Sequence, residues 1–456
     1  MYPLKIYSVV FWVRLGVIVW QIHLLFTVSC WWRENLAFPV TIPVLPKGEK
    51  TIIMYQNLIV LEEYTMDMIR CGVTVLMKSA VTGQRLALPE GFSLQEAMEL
   101  IAQHQLIPLA YAGAVNCGID RKDPVMTALL SRCLQYALIS EKQLAALRKL
   151  YRVLDEHNID YLPLKGCNMK FRYPKPELRT MGDADILIRV EQYPEVVPLL
   201  EELGFSFVVE SDHEFVWRSK SLYLELHKRL IPSYNQDYAA YFQDGWQMAH
   251  PCGGSRFEMT PEDEFLFQFV HFAKHYRGGG IGCRHILDLY VFLRYFPELD
   301  CSYVERELEK LKLLEFYRNI RRLLEFWFQD GDSDPVVEHI SAYIFASGNF
   351  GTMKNHILAQ QVRSSEYGKS LRFVKTRAWL RAIFPKMQSL EYAYPILKRH
   401  RWMVPFVWGW RLCKCICSFR KKFRYQATRI GMMDVENVTD FRDALRYVGL
   451  DFRLDT

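Results

Sequence analysis

The chain has 456 residues and 11 cysteines, yet no Cys-x-x-Cys pair. Zinc frameworks built on such pairs are therefore absent. The densest cluster is Cys413-Lys414-Cys415-Ile416-Cys417. No His or second Cys pair stands near it, and on a helix its thiols would not converge on one tetrahedral point. Free, reduced thiols in a cytoplasmic protein are the expectation. No internal repeat or low-complexity stretch occurs, which excludes a repeat array. Net charge is only +6, so overall charge points to no particular partner. A local lack says more: between Glu391 and Asp434 there is no acidic residue. Lys398, Arg399, Arg401, Arg411, Lys414, Arg420, Lys421, Lys422, Arg424 and Arg429 fall there, interleaved with Trp402, Trp408, Trp410, Phe419, Phe423 and Tyr425. Such a stretch fits RNA backbone or another anionic surface. It also fits a C-terminal helix pair with a wet basic face and a packed aromatic one.

Apolar residues make up 50% of the chain and aromatics 14%, which excludes general disorder and supports a sizeable core. The length suggests about three units of roughly 150 residues. From Leu15 to Trp32 run 18 uncharged residues between Arg14 and Arg33. That length just reaches a membrane span, and no small-residue cleavage site of the usual kind follows it. Three readings stand: a membrane anchor, a start set too early with Met54 the true beginning, or a buried helix. Membrane contact through 15–32 depends on the first. Without it the protein is expected in the cytoplasm. Asn437-Val438-Thr439 matches a glycosylation acceptor, which matters only in a secreted chain.

The most informative segment lies between Leu162 and Leu226. Asp183 and Asp185 open an apolar run, Ile186-Leu187-Ile188, of the kind found inside a sheet. On a strand, residues two apart share a face. Two carboxylates on one face repel unless a cation lies between them. A divalent metal at the start of the strand resolves that conflict. A third acid, Glu225, sits in another strand-like run, Leu222 to Leu226. Surface strand ends with solvated carboxylates are the plainer alternative. A second Asp-x-Asp, Asp330-Gly331-Asp332, lies among Gly, Ser and Pro with no strand attached, and reads as a solvated turn between helices.

Lys165-Gly166, the run Leu178-Arg179-Thr180-Met181-Gly182-Asp183-Ala184-Asp185-Ile186-Leu187 and Leu224-Glu225-Leu226-His227 resemble the DNA-polymerase-β-like nucleotidyltransferase superfamily. The nearest branch is the bacterial "uncharacterised nucleotidyltransferase" family. Lys165-Gly166-Cys167 stands where the superfamily usually has Gly-Ser or Gly-Gly. More loosely, His271-Phe272-Ala273-Lys274-His275, Ile286-Leu287-Asp288 and Tyr394-Pro395-Ile396-Leu397 resemble the helical half of that branch.

The resemblance implies an α/β (α+β) fold: a small mixed-sheet core flanked by N-terminal and C-terminal helical regions. It implies transfer of a nucleoside monophosphate from a nucleoside triphosphate to RNA, protein or a small molecule. Two Mg²⁺ ions, with Mn²⁺ able to replace them, would be held by Asp183, Asp185 and Glu225, the catalytic carboxylates. Lys165, Gly166 and Arg179 would contact the triphosphate of ATP or another nucleotide. For Arg179 an ion pair with Asp183 or Asp185 is the alternative. His271, His275 and Asp288 would line the acceptor side. His271 and His275, four apart on a helix, could also ligate zinc, although no Glu adjoins the first His and the zincin signature is missing. A non-catalytic nucleotide sensor or scaffold of the same fold is the competing function.

The organisation follows from periodicity. Residues 1–53 form the apolar segment, 54–140 a helical region, 141–230 the core, and 255–456 a C-terminal helical region. Ser93 and Glu96 hold capping-box positions. Glu141 to His157 carries Leu144, Leu147, Leu150 and Leu154 at helical spacing. Strands are expected at 160–164, 183–190, 205–209, 213–219 and 221–227, with a short helix at 166–173 and another at 191–203 closed by Gly204. Gly278-Gly279-Gly280-Ile281-Gly282 follows a helix rather than a strand and reads as a flexible turn.

Overall fold

The computed structural model describes residues 49–366, 387, 390, 394, 396–410 and 435–452. The apolar segment 15–32, the cysteine run 413–417 and the basic stretch beyond Trp410 lie outside them. The chain divides into two compact units, Met1–Glu63 and Tyr64–Thr456. Helix α1 (Glu49–Thr82) begins in the first unit, while the sheet and the remaining helices belong to the second.

Three helices lead to the sheet: α2 (Leu94–Gln103), α3 (Ile107–Cys117) and α4 (Pro124–Glu156). Their starts are encoded locally. Ser93 Oγ accepts from the backbone N–H of Glu96, as the capping signature predicts. Asp123 caps α4 ahead of Pro124, whose missing N–H is not needed at that position. Leu144, Leu147, Leu150 and Leu154 form a buried stripe on α4, and the last three pack on the sheet. Each contributes about 1.5–3 kcal/mol through burial.

The sheet has seven strands in the order β3-β4-β5-β2-β1-β7-β6. They are β1 (Tyr161–Pro163), β2 (Ala184–Ile188), β3 (Ser206–Glu210), β4 (Glu214–Arg218), β5 (Tyr223–His227), β6 (Ala249–Gly253) and β7 (Arg256–Met259). Between β1 and β2 lies α5 (Gly166–Met169), followed by a 3-10 turn, Lys170–Arg172. Between β2 and β3 lies α6 (Tyr193–Glu202), and Gly204 (φ +79°) ends it in the left-handed region. β2 pairs antiparallel with β1 and parallel with β5, so the sheet is mixed. After α7 (Gln236–Phe242) comes the hairpin β6–β7, which the sequence pattern does not reveal. Its first strand is short, largely exposed and contains Pro251, as edge strands tolerate. The second joins β1 in parallel through Tyr161 and Arg256.

The rest of the described chain is helical: α8 (Pro261–Gly278), α9 (Cys283–Tyr295), α10 (Cys301–Lys310), α11 (Leu314–Phe328), α12 (Pro335–Ser347), α13 (Met353–Glu366), α14 (Ile396–Arg399) and α15 (Val435–Tyr447). One face of the sheet packs Ile186, Ile188, Leu224 and Leu226 against α4 and α6. Leu162, Leu164 and Leu187 join the larger core built with Phe265, Phe269 and Leu287 of α8 and α9. The glycines at 278–282 make a packed turn, not a flexible one. A Cβ on Gly279 (φ +148°) would meet His356 Nδ1 at 2.1 Å, and one on Gly280 (φ +114°) would meet Ser347 Oγ at 2.2 Å. Asp330 and Asp332 are exposed between α11 and α12, and Asp334 caps α12. Cys71, Cys117, Cys133, Cys167, Cys252, Cys283 and Cys301 are free thiols. Among the described residues no helix is long and apolar enough to cross a membrane.

Candidate active site

Parallel pairing of β2 with β5 sets Asp185 directly beside Glu225. His227, two residues on, shares the face of Glu225, and β4 places Glu214 opposite His227. Asp183 stands just before β2, in a loop that α4 steadies: Gln143 Nε2 donates to the Met181 carbonyl at 3.0 Å. This face opens on a cleft of about 460 Å³ walled by α8 and α9. Asp183, Asp185, Glu225, Lys165, Gly166, Arg179, His271, His275 and Asp288 all line it. The cleft therefore gathers every candidate site residue that the sequence singles out.

Lys165 adopts φ +44°, a left-handed conformation rare for a side chain with a Cβ. Its Nζ donates to Asp185 Oδ1 at 2.7 Å, and His227 Nε2 meets the same oxygen at 2.9 Å. Burial alone would raise Asp185, but the Lys165 charge and the His227 bond overcome it and hold the carboxyl well below its usual range. Glu225 shows the reverse: burial, then the charges of Asp185, Asp183 and Glu214, push it up to about 8. Asp183 is exposed at the cleft mouth, yet the surrounding walls and then Asp185 raise it as well. Burial and the Lys165 charge lower His227, leaving a neutral imidazole whose Nδ1 is buried without a partner.

Asp185, Glu225 and His227 each offer a ligand atom, all within 4.8 Å of one another, the one such cluster among the described residues. His227 spends its Nε2 on Asp185, so the donors left for a cation are carboxylate oxygens and the unpartnered His227 Nδ1. Mutually repelling carboxylates, one of them held protonated by its neighbours, fit a divalent cation.

Arg179 does not pair with Asp183 or Asp185. Its Nε and Nη2 donate to the two oxygens of Asp288, each at 2.9 Å, and Tyr173 Oη adds a bond of 2.7 Å. Both partners are buried. Gly166 makes room for this pair, because a Cβ there would lie 2.8 Å from Arg179 Nη1. His271 and His275 face each other, Nε2 to Nε2, at 3.1 Å. Burial and neighbouring cations push both far below the usual histidine range. No third ligand group gathers with them among the described residues, so they do not form the zinc site that their spacing permitted.

Among the other residues that line the cleft, Glu214, His227, Lys274 and Arg284 matter most to its charge and were given no role from the sequence. His227 was within reach of the sequence, since it lies two positions after Glu225 on one strand. So was Lys274, one residue before His275 on the same helix, whereas Glu214 and Arg284 depend on pairings between distant segments.

Residues 90–329 match a family model described as "Uncharacterised nucleotidyltransferase". No curated protein matches. A crystal structure of an antigenic nucleotidyltransferase-like protein from Paracoccidioides brasiliensis is similar at 17% identity, over 45% of this chain and 96% of its own, with a TM-score of 0.27. The family match spans more than half of the 456 residues and includes every strand and all the lining acids, so the chain belongs to the uncharacterised nucleotidyltransferases and is an enzyme of nucleotidyl transfer.

Proposed function

We propose that this cleft moves a nucleoside monophosphate from a nucleoside triphosphate to an acceptor hydroxyl on RNA, protein or a small molecule, with Mg²⁺ or Mn²⁺ as the ions. The observation that carries the reading is the register of β2 against β5, which brings Asp185 and Glu225 side by side, with Asp183 at the mouth of the same cleft. Asp183 and Asp185 would hold both ions, and Glu225 the one on the acceptor side. Bound there, divalent ions polarise the phosphoryl group and neutralise charge on the attacking and leaving oxygens.

The chain's own residues supply the rest by positioning and charge, which dominate phosphoryl transfer. Lys165 and His227 orient Asp185 through two hydrogen bonds to one oxygen. Glu225 could take the proton of the acceptor hydroxyl only as the carboxylate, the form that bound cations would favour; its surroundings then make that carboxylate a stronger base than a solvated one. The Arg179–Asp288 pair fixes the loop that delivers Asp183.

The test is incubation with each labelled nucleoside triphosphate, Mg²⁺ and cell extract. Wild type is expected to label one acceptor class, which identifies it. Asp185→Asn, which keeps the size of the side chain and an acceptor oxygen, is expected to lose transfer by at least about a thousandfold with an unchanged circular dichroism spectrum. Undiminished labelling by this variant would end the assignment. Binding of nucleotide by wild type without any labelling would favour a sensor.

A further inference from the structure

Four Lys and Arg side chains line the cleft: Lys165, Arg179, Lys274 and Arg284. Three are committed to the protein. Lys165 is bonded to Asp185, and Arg179 is locked to Asp288. Arg284 Nη1 donates to the carbonyl and hydroxyl of Thr180 and to Gln105 Oε1, each at 3.0 Å. Lys274 has no hydrogen bond or ion pair among the described residues. It lies half-buried on α8, one residue before His275 and three after His271. The charges of Asp185, Glu214 and Glu225 reach it, so it shares the space of the acidic floor.

A triphosphate brings several negative charges and needs free cationic donors. Taking Arg179 for that purpose would strip a buried carboxylate of its partner, a change that costs several kcal/mol. Taking Lys165 would remove a bond that orients Asp185. Lys274 can turn to a phosphate without breaking anything. Beside it, His271 and His275 are uncharged and can donate a hydrogen bond without repelling Lys274.

We propose that Lys274 on α8 binds the β- and γ-phosphates of the incoming nucleotide, in place of the Lys165 and Arg179 contacts expected from the sequence. The proposal rests on the reading of the cleft as the nucleotidyl-transfer site. Burial and the Lys165 charge depress Lys274 to about 7, as expected of an ammonium whose counter-charge arrives with the substrate.

The experiment measures binding of nucleoside triphosphates and of the matching monophosphates to the full-length protein, with Ca²⁺ present to support binding without turnover. Three proteins are compared: wild type, Lys274→Met and Lys274→Arg. For Lys274→Met the triphosphate Kd is expected to rise at least tenfold while the monophosphate Kd stays within twofold. Lys274→Arg, which keeps the charge, is expected to return within about threefold of wild type. Equal preference for triphosphate over monophosphate in Lys274→Met and wild type would overturn the role of Lys274 while leaving the site itself standing. If wild type binds no triphosphate at all, both the site and the role of Lys274 fall. If Lys274→Met does not fold, Lys274→Gln takes its place, and an unchanged preference for triphosphate over monophosphate in that variant overturns the proposal.

Discussion

Arg179→Met should destabilise the protein far more than loss of a surface contact. Three facts set the size of the effect. Both members of the pair are buried, at 8% and 9% side-chain exposure. Two bonds of 2.9 Å vanish together. Only the Tyr173 hydroxyl remains to serve the Asp288 carboxylate. Removing one partner of such a pair costs about 3–5 kcal/mol, because the other charge stays buried. The loss should also depend on pH. In wild type, burial alone would raise Asp288, but Arg179 overrides it and keeps the carboxyl below its usual range. Its stabilising contribution is therefore present above the unfolded carboxylate pKa and fades as pH falls through the folded one. Without Arg179 the smaller Arg284 effect and the Tyr173 bond still oppose burial, and the folded pKa is expected to rise above the unfolded value. The variant is then penalised most at high pH and relieved as pH drops. Urea denaturation followed by tryptophan fluorescence should give a loss of about 4 kcal/mol at pH 8, and at least about 1 kcal/mol less at pH 5. Arg179→Met combined with Asp288→Leu should recover most of the loss, since apolar replacement of a whole buried pair is often neutral. A loss under about 1 kcal/mol at both pH values would refute the assignment of Arg179 to Asp288 rather than to substrate.

Glu225 gives the opposite pH signature. Its folded pKa is raised to about 8, so without metal the protein should lose stability as pH climbs from the unfolded value toward 8, at up to about 1.4 kcal/mol per unit. Glu225→Gln should flatten that slope in thermal denaturation across pH 5–8.5 and abolish stabilisation by Mg²⁺ or Mn²⁺; an unchanged slope would show that Glu225 is not the titrating group. Gly280→Ala should destabilise by about 1–3 kcal/mol, because φ +114° and a 2.2 Å approach to Ser347 Oγ leave no room for a methyl group, and wild-type stability in urea would contradict the packed turn.

Period-two strands and period-3.6 helices were legible because each is written within a few residues. Ile186, Ile188, Leu224 and Leu226 predict their own faces, and the Ser93 cap its own helix start. The three acids were legible for the same reason, since each follows or joins an apolar run that fixes its direction. Pairing across long separations was not. Asp288 lies 109 residues from Arg179, and nothing near either one shows that the nearer acids Asp183 and Asp185 would be passed over. The β6–β7 hairpin was hidden because Ala249-His250-Pro251-Cys252-Gly253 buries almost nothing and so carries no alternation. The glycine run looked loose because its constraints come from His356, Ser347 and Gly351, side chains and backbone more than sixty residues later.

Charge balance, more than motif, explains why these acids can sit together. Asp183, Asp185, Glu214, Glu225 and Asp288 line the cleft, against Lys165, Arg179, Lys274 and Arg284. Asp288 cancels Arg179 within hydrogen-bond distance, which leaves four carboxylates facing three cations. While Lys274, itself depressed to about 7, still carries its charge, the proton on Glu225 makes up the difference. Burial alone already raises a carboxylate on a half-buried strand. Glu225 is raised further because β2 and β5 force it beside Asp185, whose own proton Lys165 and His227 have driven off. The sheet thus concentrates negative charge at one point and offsets it with the smallest cation at hand. A divalent ion at that point would relieve the same repulsion more completely, which is why the register of two strands carries more weight for function than the presence of any one acid.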